Sequence, residues 1–240
     1  MVMGQGLDGR RVAVLGGTGP QGRGLAHRFA AAGVPVVIGS RSADRARETA
    51  GELAQSLAQS LAQSLAVSST RASWGAVSGA DNASAAEQGD LVVVAVPWEG
   101  HDDLLRSLSD ALAGKVVVDC VNPLGFDKQG AYPLLVEEGS AVEQAAALLP
   151  QSRVVGAFHH VSAVLLEDPG LALVDSDVLV LGDDREATDL VQRLAGLIPG
   201  VRGVYAGRLR NAHQVEALTA NLIAINRRHQ THSGVRITGL

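Results

Sequence analysis

RVAVLGGTGPQGRG, residues 11–24, opens as a continuous apolar run and breaks into a cluster of glycines. Leu25, Phe29 and Ala32 then recur at helical spacing until Gly33 stops the pattern. The stretch predicts a strand, a tight turn and a helix. A second apolar run at 34–38 follows at once, and others lie at 91–96, 116–121, 154–158 and 178–181. None of them alternates polar with apolar residues. Strands covered on both faces and separated by helix-length segments belong to a parallel sheet in an α/β protein, joined by right-handed crossovers.

Within the turn, Gly17, Gly19 and Gly22 have the spacing G-x-G-x-x-G. Context gives it meaning: a strand before it, an amphipathic helix after it, and a second strand ending where a ribose-recognising residue belongs. Glycine lets the backbone approach a pyrophosphate closely, and the free N–H groups and dipole of the helix start favour the anion. For NAD the second strand would end in Asp or Glu. Here it ends Gly39-Ser40-Arg41-Ser42. Arg41, supported by Arg45 and the Ser40 hydroxyl, suits a 2'-phosphate, so NADP(H) is the expected cofactor. Arg47 reads instead as a solvated residue of the next helix start.

The composition is that of a packed globular chain with at most two domains: 240 residues, 46% hydrophobic and 19% charged. A net charge of −5 provides no electrostatic reason for a nucleic-acid or anionic-membrane partner, so any anion site is local. The apolar stretch 91–97 is far shorter than the roughly 20 residues that cross a bilayer. The leader MVMGQGLDGRR lacks the apolar stretch of a signal peptide, so a cytoplasmic location is expected. Cys120, the single cysteine, excludes an internal disulfide and any multi-cysteine metal site. His159 and His160, adjacent at a strand end, point to opposite faces, and no metal is expected.

One segment is of low complexity: LAQSLAQSLAQSL, residues 53–65. Each four-residue step overshoots a helical turn by about 40°, so the leucine stripe spirals round the helix. It reads as an expanded surface crossover helix, with a partner-binding helix as the alternative. Further along, Pro97-Trp98 ends an apolar run at the carboxyl edge, where an α/β sheet binds its ligand, and Asn122-Pro123 ends the next run as a turn. Asn211 and Gln214 form a capping-box-like helix start, and Val215, Leu218, Leu222 and Ile225 follow as a core stripe.

Taken together, GGTGPQGRG (16–24), IGSRS (38–42), AVPWEGH (95–101), GAFHHVS (156–162) and LRNAHQVEALT (209–219) resemble the NADPH-dependent reductases of coenzyme F420, also called F420H2:NADP oxidoreductases, over nearly the whole chain. The resemblance implies a Rossmann-type doubly wound parallel sheet binding NADP in residues 1–156. A small C-terminal α+β domain, 157–240, would close a cleft for the co-substrate, the 8-hydroxy-5-deazaflavin coenzyme F420. Motif by motif, Thr18, Gly19, Pro20 and Gln21 would hold the pyrophosphate, and Ser40, Arg41 and Arg45 the 2'-phosphate. Val96, Pro97, Trp98 and Ala163 would hold the rest of NADP, while His159, Val161, His213 and Thr219 would line the deazaflavin side. The chain departs from the family pattern where Arg45 replaces a frequent lysine, where His213 and Ala217 stand for arginine and serine of some relatives, and throughout the LAQS repeat.

The reaction so implied is direct hydride transfer between two planar rings held about 3 to 3.5 Å apart, which demands positioning and exclusion of water more than an acid or nucleophile. No residue is assigned a catalytic proton. The rival enzyme is an NADP-dependent reductase of a small carbonyl or imine, of the hydroxyacid dehydrogenase or ketopantoate reductase type, which uses a lysine proton donor. Of the two lysines, Lys115 precedes its strand at the wrong end of the sheet, while Lys128, in a loop after it, stays open as that donor. A nonenzymatic NADP sensor is the third reading. Small molecules are the expected partners, and glycine and alanine on the C-terminal elements would allow a homodimer.

Overall fold

The computed structural model describes residue 7 and residues 9–67 and 74–240, with the side chains of 61–67 left out. Residues 1–6 and 8 of the leader, and the side chains of Leu61 and Leu65 of the leucine stripe, therefore lie outside what is described. The chain begins β1 (Val12–Leu15), α1 (Pro20–Ala31), β2 (Val36–Ser40), α2 (Ala43–Val67), β3 (Val77–Asp81), α3 (Asn82–Gln88) and β4 (Leu91–Val94). It continues through α4 (His101–Ser107), α5 (Ser109–Leu112), β5 (Val116–Asp119), a hairpin of β6 (Leu124–Asp127) and β7 (Gly130–Pro133), α6 (Ala141–Leu148) and β8 (Arg153–Gly156). It ends with α7 (Ala163–Glu167), β9 (Ser176–Gly182), α8 (Arg185–Ala195), β10 (Val201–Gly207) and α9 (Ala212–His229).

Eight strands form one sheet in the order β10-β9-β8-β5-β4-β1-β2-β3. The order reverses at β1, which pairs with β2 on one side and β4 on the other. That reversal opens a crevice at the carboxyl ends of β1 and β4, the place where doubly wound sheets take their ligands. The sheet is Rossmann-type and predominantly parallel, but β9 runs antiparallel to β8. Residues beyond 156 therefore extend the same sheet by two strands, β9 and β10, before the chain leaves it as α9.

Every residue of the central strands β1, β2, β4 and β5 is buried because the sheet is covered twice. Val12 and Val14 belong to one apolar cluster, with Leu25 and Phe29 of α1; Ala13 and Leu15 belong to the other, with Leu105 and Leu112 beneath α4 and α5. Alternate side chains thus enter opposite cores, and continuous apolar runs become strands. Two strands carry no such run. VSGAD of β3 and VRGVYAG of β10 are the sheet's edges, only partly buried, and so lack the periodicity that reveals a central strand.

Helix α2 is the crossover from β2 to β3. Leu53 and Leu57 are buried in the core while Gln55, Gln59 and Ser60 are exposed, so the first two leucines of the repeat anchor the helix. On the C-terminal side, Ile225 is exposed, and the core stripe of α9 reduces to Val215 and Leu222 with Leu218 half-buried. The expected Asn211 cap is absent too, because a 3-10 turn, Leu209–Asn211, leads into the helix and the Asn211 side chain makes no capping bond.

The buried Leu57 predicts a core penalty confined to one face of the repeat. Leu57→Ala should lower the unfolding free energy by about 2 to 3 kcal/mol, whereas Gln59→Ala should change it by less than about 0.5 kcal/mol, in urea titrations.

Candidate functional site

Helix α1 starts the site. Gly16 lies at φ 72°, and a Cβ on it would meet the Ala95 carbonyl oxygen at 2.5 Å, so only glycine allows the first turn to pass β4. A Cβ on Gly22 would strike the backbone of Gly16 and Gly17 at 2.7 and 2.8 Å, which keeps the helix pressed against the turn. Gly19 caps α1 without a side-chain bond, Pro20 occupies the first helical position, and no acidic residue stands in the first turn. The helix dipole and its first N–H groups are thus left to an anion.

Beside that turn, Gly17 N–H donates to the Gly39 carbonyl at 3.0 Å, tying it to the end of β2. Ser40 is buried there, with its Oγ accepting the Ser42 N–H at 3.3 Å. Arg41 and Arg45 follow it, both exposed and neither in an ion pair among the described residues. Arg47, by contrast, pairs with Asp44 at 2.7 Å.

A cleft of about 370 Å³ opens between the carboxyl ends of the strands and α9. Gln21, Val96, Pro97, Trp98 and Ala163 line it from the side of the glycine turn, and His159, Val161 and Thr219 complete the wall. His213 does not reach it: it is exposed in the first turn of α9. Thr18, Gly19, Pro20, Ser40, Arg41 and Arg45 lie outside its lining, along the turn and the end of β2.

His159 and His160 come just after β8, in a turn that begins with Phe158 at φ 65°. The His159 carbonyl accepts from Asn122 Nδ2 at 2.8 Å and from Thr219 Oγ1 at 3.1 Å, and the Phe158 carbonyl accepts from Gln21 Nε2 at 3.1 Å. Both ring nitrogens of His159 are buried without a hydrogen-bond partner. His160 instead accepts the Leu179 N–H on Nε2 at 3.3 Å. Burial pushes both imidazoles down to about 4, so both are neutral at neutral pH. A neutral His159 offers a ligand one donor and one acceptor.

Three positioning residues carry no motif of their own. Asn122 looks in sequence like a simple turn residue, yet it holds the His159 carbonyl. Arg28 is buried in α1 and donates to the carbonyls of Leu165, Leu166, Asp168 and Leu171, fixing the segment that carries Ala163. Glu216, buried on α9, accepts the N–H groups of Ala141 and Val142 at 3.0 and 3.1 Å, and burial together with the nearby Asp119 pushes its carboxyl up to about 7. Only the contact partners reveal these roles, and those are distant in sequence.

Comparison with known proteins gives the family and the fold. A family model described as NADP oxidoreductase, coenzyme F420-dependent, matches residues 11–123. The F420-dependent NADP reductase of Methanothermobacter marburgensis is 38% identical over 96% of this chain and 99% of its own length. That of Methanocaldococcus jannaschii is 36% identical, over 96% and 99%. A crystal structure assigned as an F420-dependent NADP-reductase from Arthrobacter sp. FB24 superposes with a TM-score of 0.75 at 27% identity, covering 96% of this chain and all of that one. The pyrroline-5-carboxylate reductase of Coxiella burnetii, 14% identical with a TM-score of 0.59 over 92% of this chain and 67% of its own, shares the fold.

The buried titrating groups predict opposite pH effects. His159 and His160 bind protons in the unfolded chain near 6.5 but in the folded one only near 4, so stability present above pH 6.5 is lost as pH falls towards 4. Glu216 is raised from 4.5 to about 7, so its contribution is present below 4.5 and lost as pH rises through 7. Between pH 7 and 5 each group changes stability by on the order of 2 kcal/mol. Urea unfolding at the two pH values should show a smaller acid loss than wild type in His159→Gln and a larger one in Glu216→Gln.

Proposed function

The chain belongs to the F420-dependent NADP reductases, and from that premise we propose how its residues divide the work of hydride exchange between NADP(H) and coenzyme F420. The two bound cofactors supply the hydride and its acceptor. The protein's share is to bind them, orient them and keep water out.

The nucleotide fits the residues present. Gly16 and Gly22 let the turn pack tightly against β4 and the helix start, which carries no competing carboxylate. Arg41 and Arg45, with the Ser40 hydroxyl between β2 and α2, supply donors for a 2'-phosphate in a chain whose net charge is −5. Val96, Pro97, Trp98 and Ala163 shape the nicotinamide side, and Thr18, Gly19, Pro20 and Gln21 the pyrophosphate turn. His159, Val161 and Thr219 take the deazaflavin side, and within residues 157–240 it is α9, following the two strands that this part adds to the sheet, that covers it. His213, at the exposed start of α9, would meet the outer part of the deazaflavin coenzyme.

The observation that carries this division is the His159 imidazole, buried in the cleft wall with neither nitrogen bonded. An unpaired buried polar group costs about 1 to 3 kcal/mol, which a ligand accepting or donating there would recover. Neither lysine is placed to serve a carbonyl or imine reductase. Lys115 donates to the carbonyls of Ala86, Glu87 and Gly89 at the end of α3, and Lys128 is exposed in the hairpin between β6 and β7. The reading is completed by a cytoplasmic homodimer: Cys120 is a buried free thiol suited to a reducing compartment, and Ile225 presents apolar surface on α9.

Mixing the protein with NADPH and oxidised F420 should bleach the deazaflavin's visible absorbance, and a cyclic imine reduced in its place would overturn the assignment. Arg41→Ala should weaken NADP binding by about 1.5 to 3 kcal/mol with little change for NAD, measured by calorimetry. Equal weakening of both nucleotides would make Arg41 structural. His159→Ala should raise the KM for F420 and cost about 1 to 2 kcal/mol in kcat/KM, with the KM for NADPH nearly unchanged.

A further inference from the structure

His101, the first residue of α4, is fully buried and follows Gly100 in the left-handed region at φ 87°. Its Nε2 lies 2.6 Å from Oδ2 of Asp119, itself fully buried, and its Nδ1 lies 3.3 Å from Oε1 of Gln144. The Gln144 amide is oriented by its other end, because Nε2 donates to a Glu138 carboxylate oxygen at 3.2 Å. A carboxylate only accepts, so the amide oxygen must be the atom that faces His101. Both ring nitrogens therefore face acceptors, and the arrangement is satisfied only by an imidazolium, donating from each. The other charged groups around it are Asp102 on its own helix and the buried Glu216 on α9.

Above this ring lies Trp98, its centroid 5.6 Å away and its plane tilted by 31°. The His101 N–H also donates to the Trp98 carbonyl at 3.1 Å, closing the turn between them. A cation within about 6 Å of an indole centroid attracts its π face, and more strongly where water is excluded. Trp98 is also part of the cleft wall. A chain of contacts thus runs from Asp119 and Gln144, through His101, to the indole that borders the ligand.

We propose that His101 is a positioning residue for hydride transfer: held as a cation by Asp119 and Gln144, it fixes the indole of Trp98 in the cleft wall. The inference rests on Trp98 lying on the nicotinamide side. It explains why a polar pair is buried at the end of β5: the charge serves an aromatic wall, not a proton transfer.

Trp98 and Trp74 are the two tryptophans, so Trp74→Phe leaves Trp98 as the sole indole. In that background Trp98 emission should titrate with pH, dimmer when His101 is protonated because imidazolium quenches indole, with a midpoint above the ordinary histidine value of about 6.5. The step should vanish in His101→Gln and move to lower pH in Gln144→Leu, which removes one acceptor and spares the Asp119 pair should His101→Gln fold poorly. Steady-state kinetics then test the coupling. Trp98→Phe and His101→Gln should each raise the KM for NADPH about two- to fivefold, and the double variant should be no worse than Trp98→Phe alone. Multiplying effects in the double variant, or an emission midpoint unmoved by Gln144→Leu, would overturn the proposal. An unchanged KM for NADPH in Trp98→Phe would overturn instead the placing of Trp98 beside the nicotinamide, whatever the emission shows.

Discussion

Phe158 sits at φ 65°, a conformation that costs a bulky L residue about 1 to 2 kcal/mol, and the geometry of the cleft depends on it. Such a backbone persists only where its surroundings over-determine it. Here the ring packs edge-on against Phe29, centroids 5.9 Å apart, so the side chain is held by the core beneath α1. The carbonyls of Phe158 and His159 are held by Gln21, Asn122 and Thr219, which come from the glycine turn, the end of β5 and α9. One strained turn thus joins the nucleotide turn to the C-terminal helix, and His159 is delivered to the cleft by that joint.

The electrostatics follow from the same geometry. The chain is acidic overall, yet its ligands are anions, so attraction must be local: free N–H groups at α1 and the exposed guanidinium groups after β2, in no ion pair among the described residues. Inside, the polarity is arranged differently. Asp119, His101 and Glu216 are all buried behind the cleft, each with acceptors and donors placed to satisfy it. Removing one partner of such a set leaves a buried charge unpaired, which costs far more than the pair contributes when intact. Glu216 also joins α9 to the start of α6, so the helix bearing Thr219 is fixed at two points.

How much of this was legible beforehand varies with burial. Central strands read clearly, since a strand covered on both faces must be apolar throughout. The edges β3 and β10 leave no apolar run in the sequence, because a half-solvated edge tolerates serine, glycine and aspartate. The antiparallel β9 reads in sequence as one more parallel strand, since its burial resembles that of its neighbours and direction leaves no mark on composition. The exposure of Ile225 was likewise invisible, as helical spacing says which residues share a face but not what covers it.

Sequence alone determined the strand, glycine turn and helix of residues 11–31, the basic end of β2, and the family, because each is local chemistry: spacing, a missing Cβ, a charge at a strand end. Only the tertiary structure decided the rest. It set the left-handed Phe158, the Asn122 and Thr219 bonds to His159, the Arg28 cradle and the Asp119–His101–Trp98 stack. Each of these joins residues between 3 and 143 positions apart through contacts that no periodicity encodes, and the charge state of a histidine depends on what lies beside it once the chain has folded.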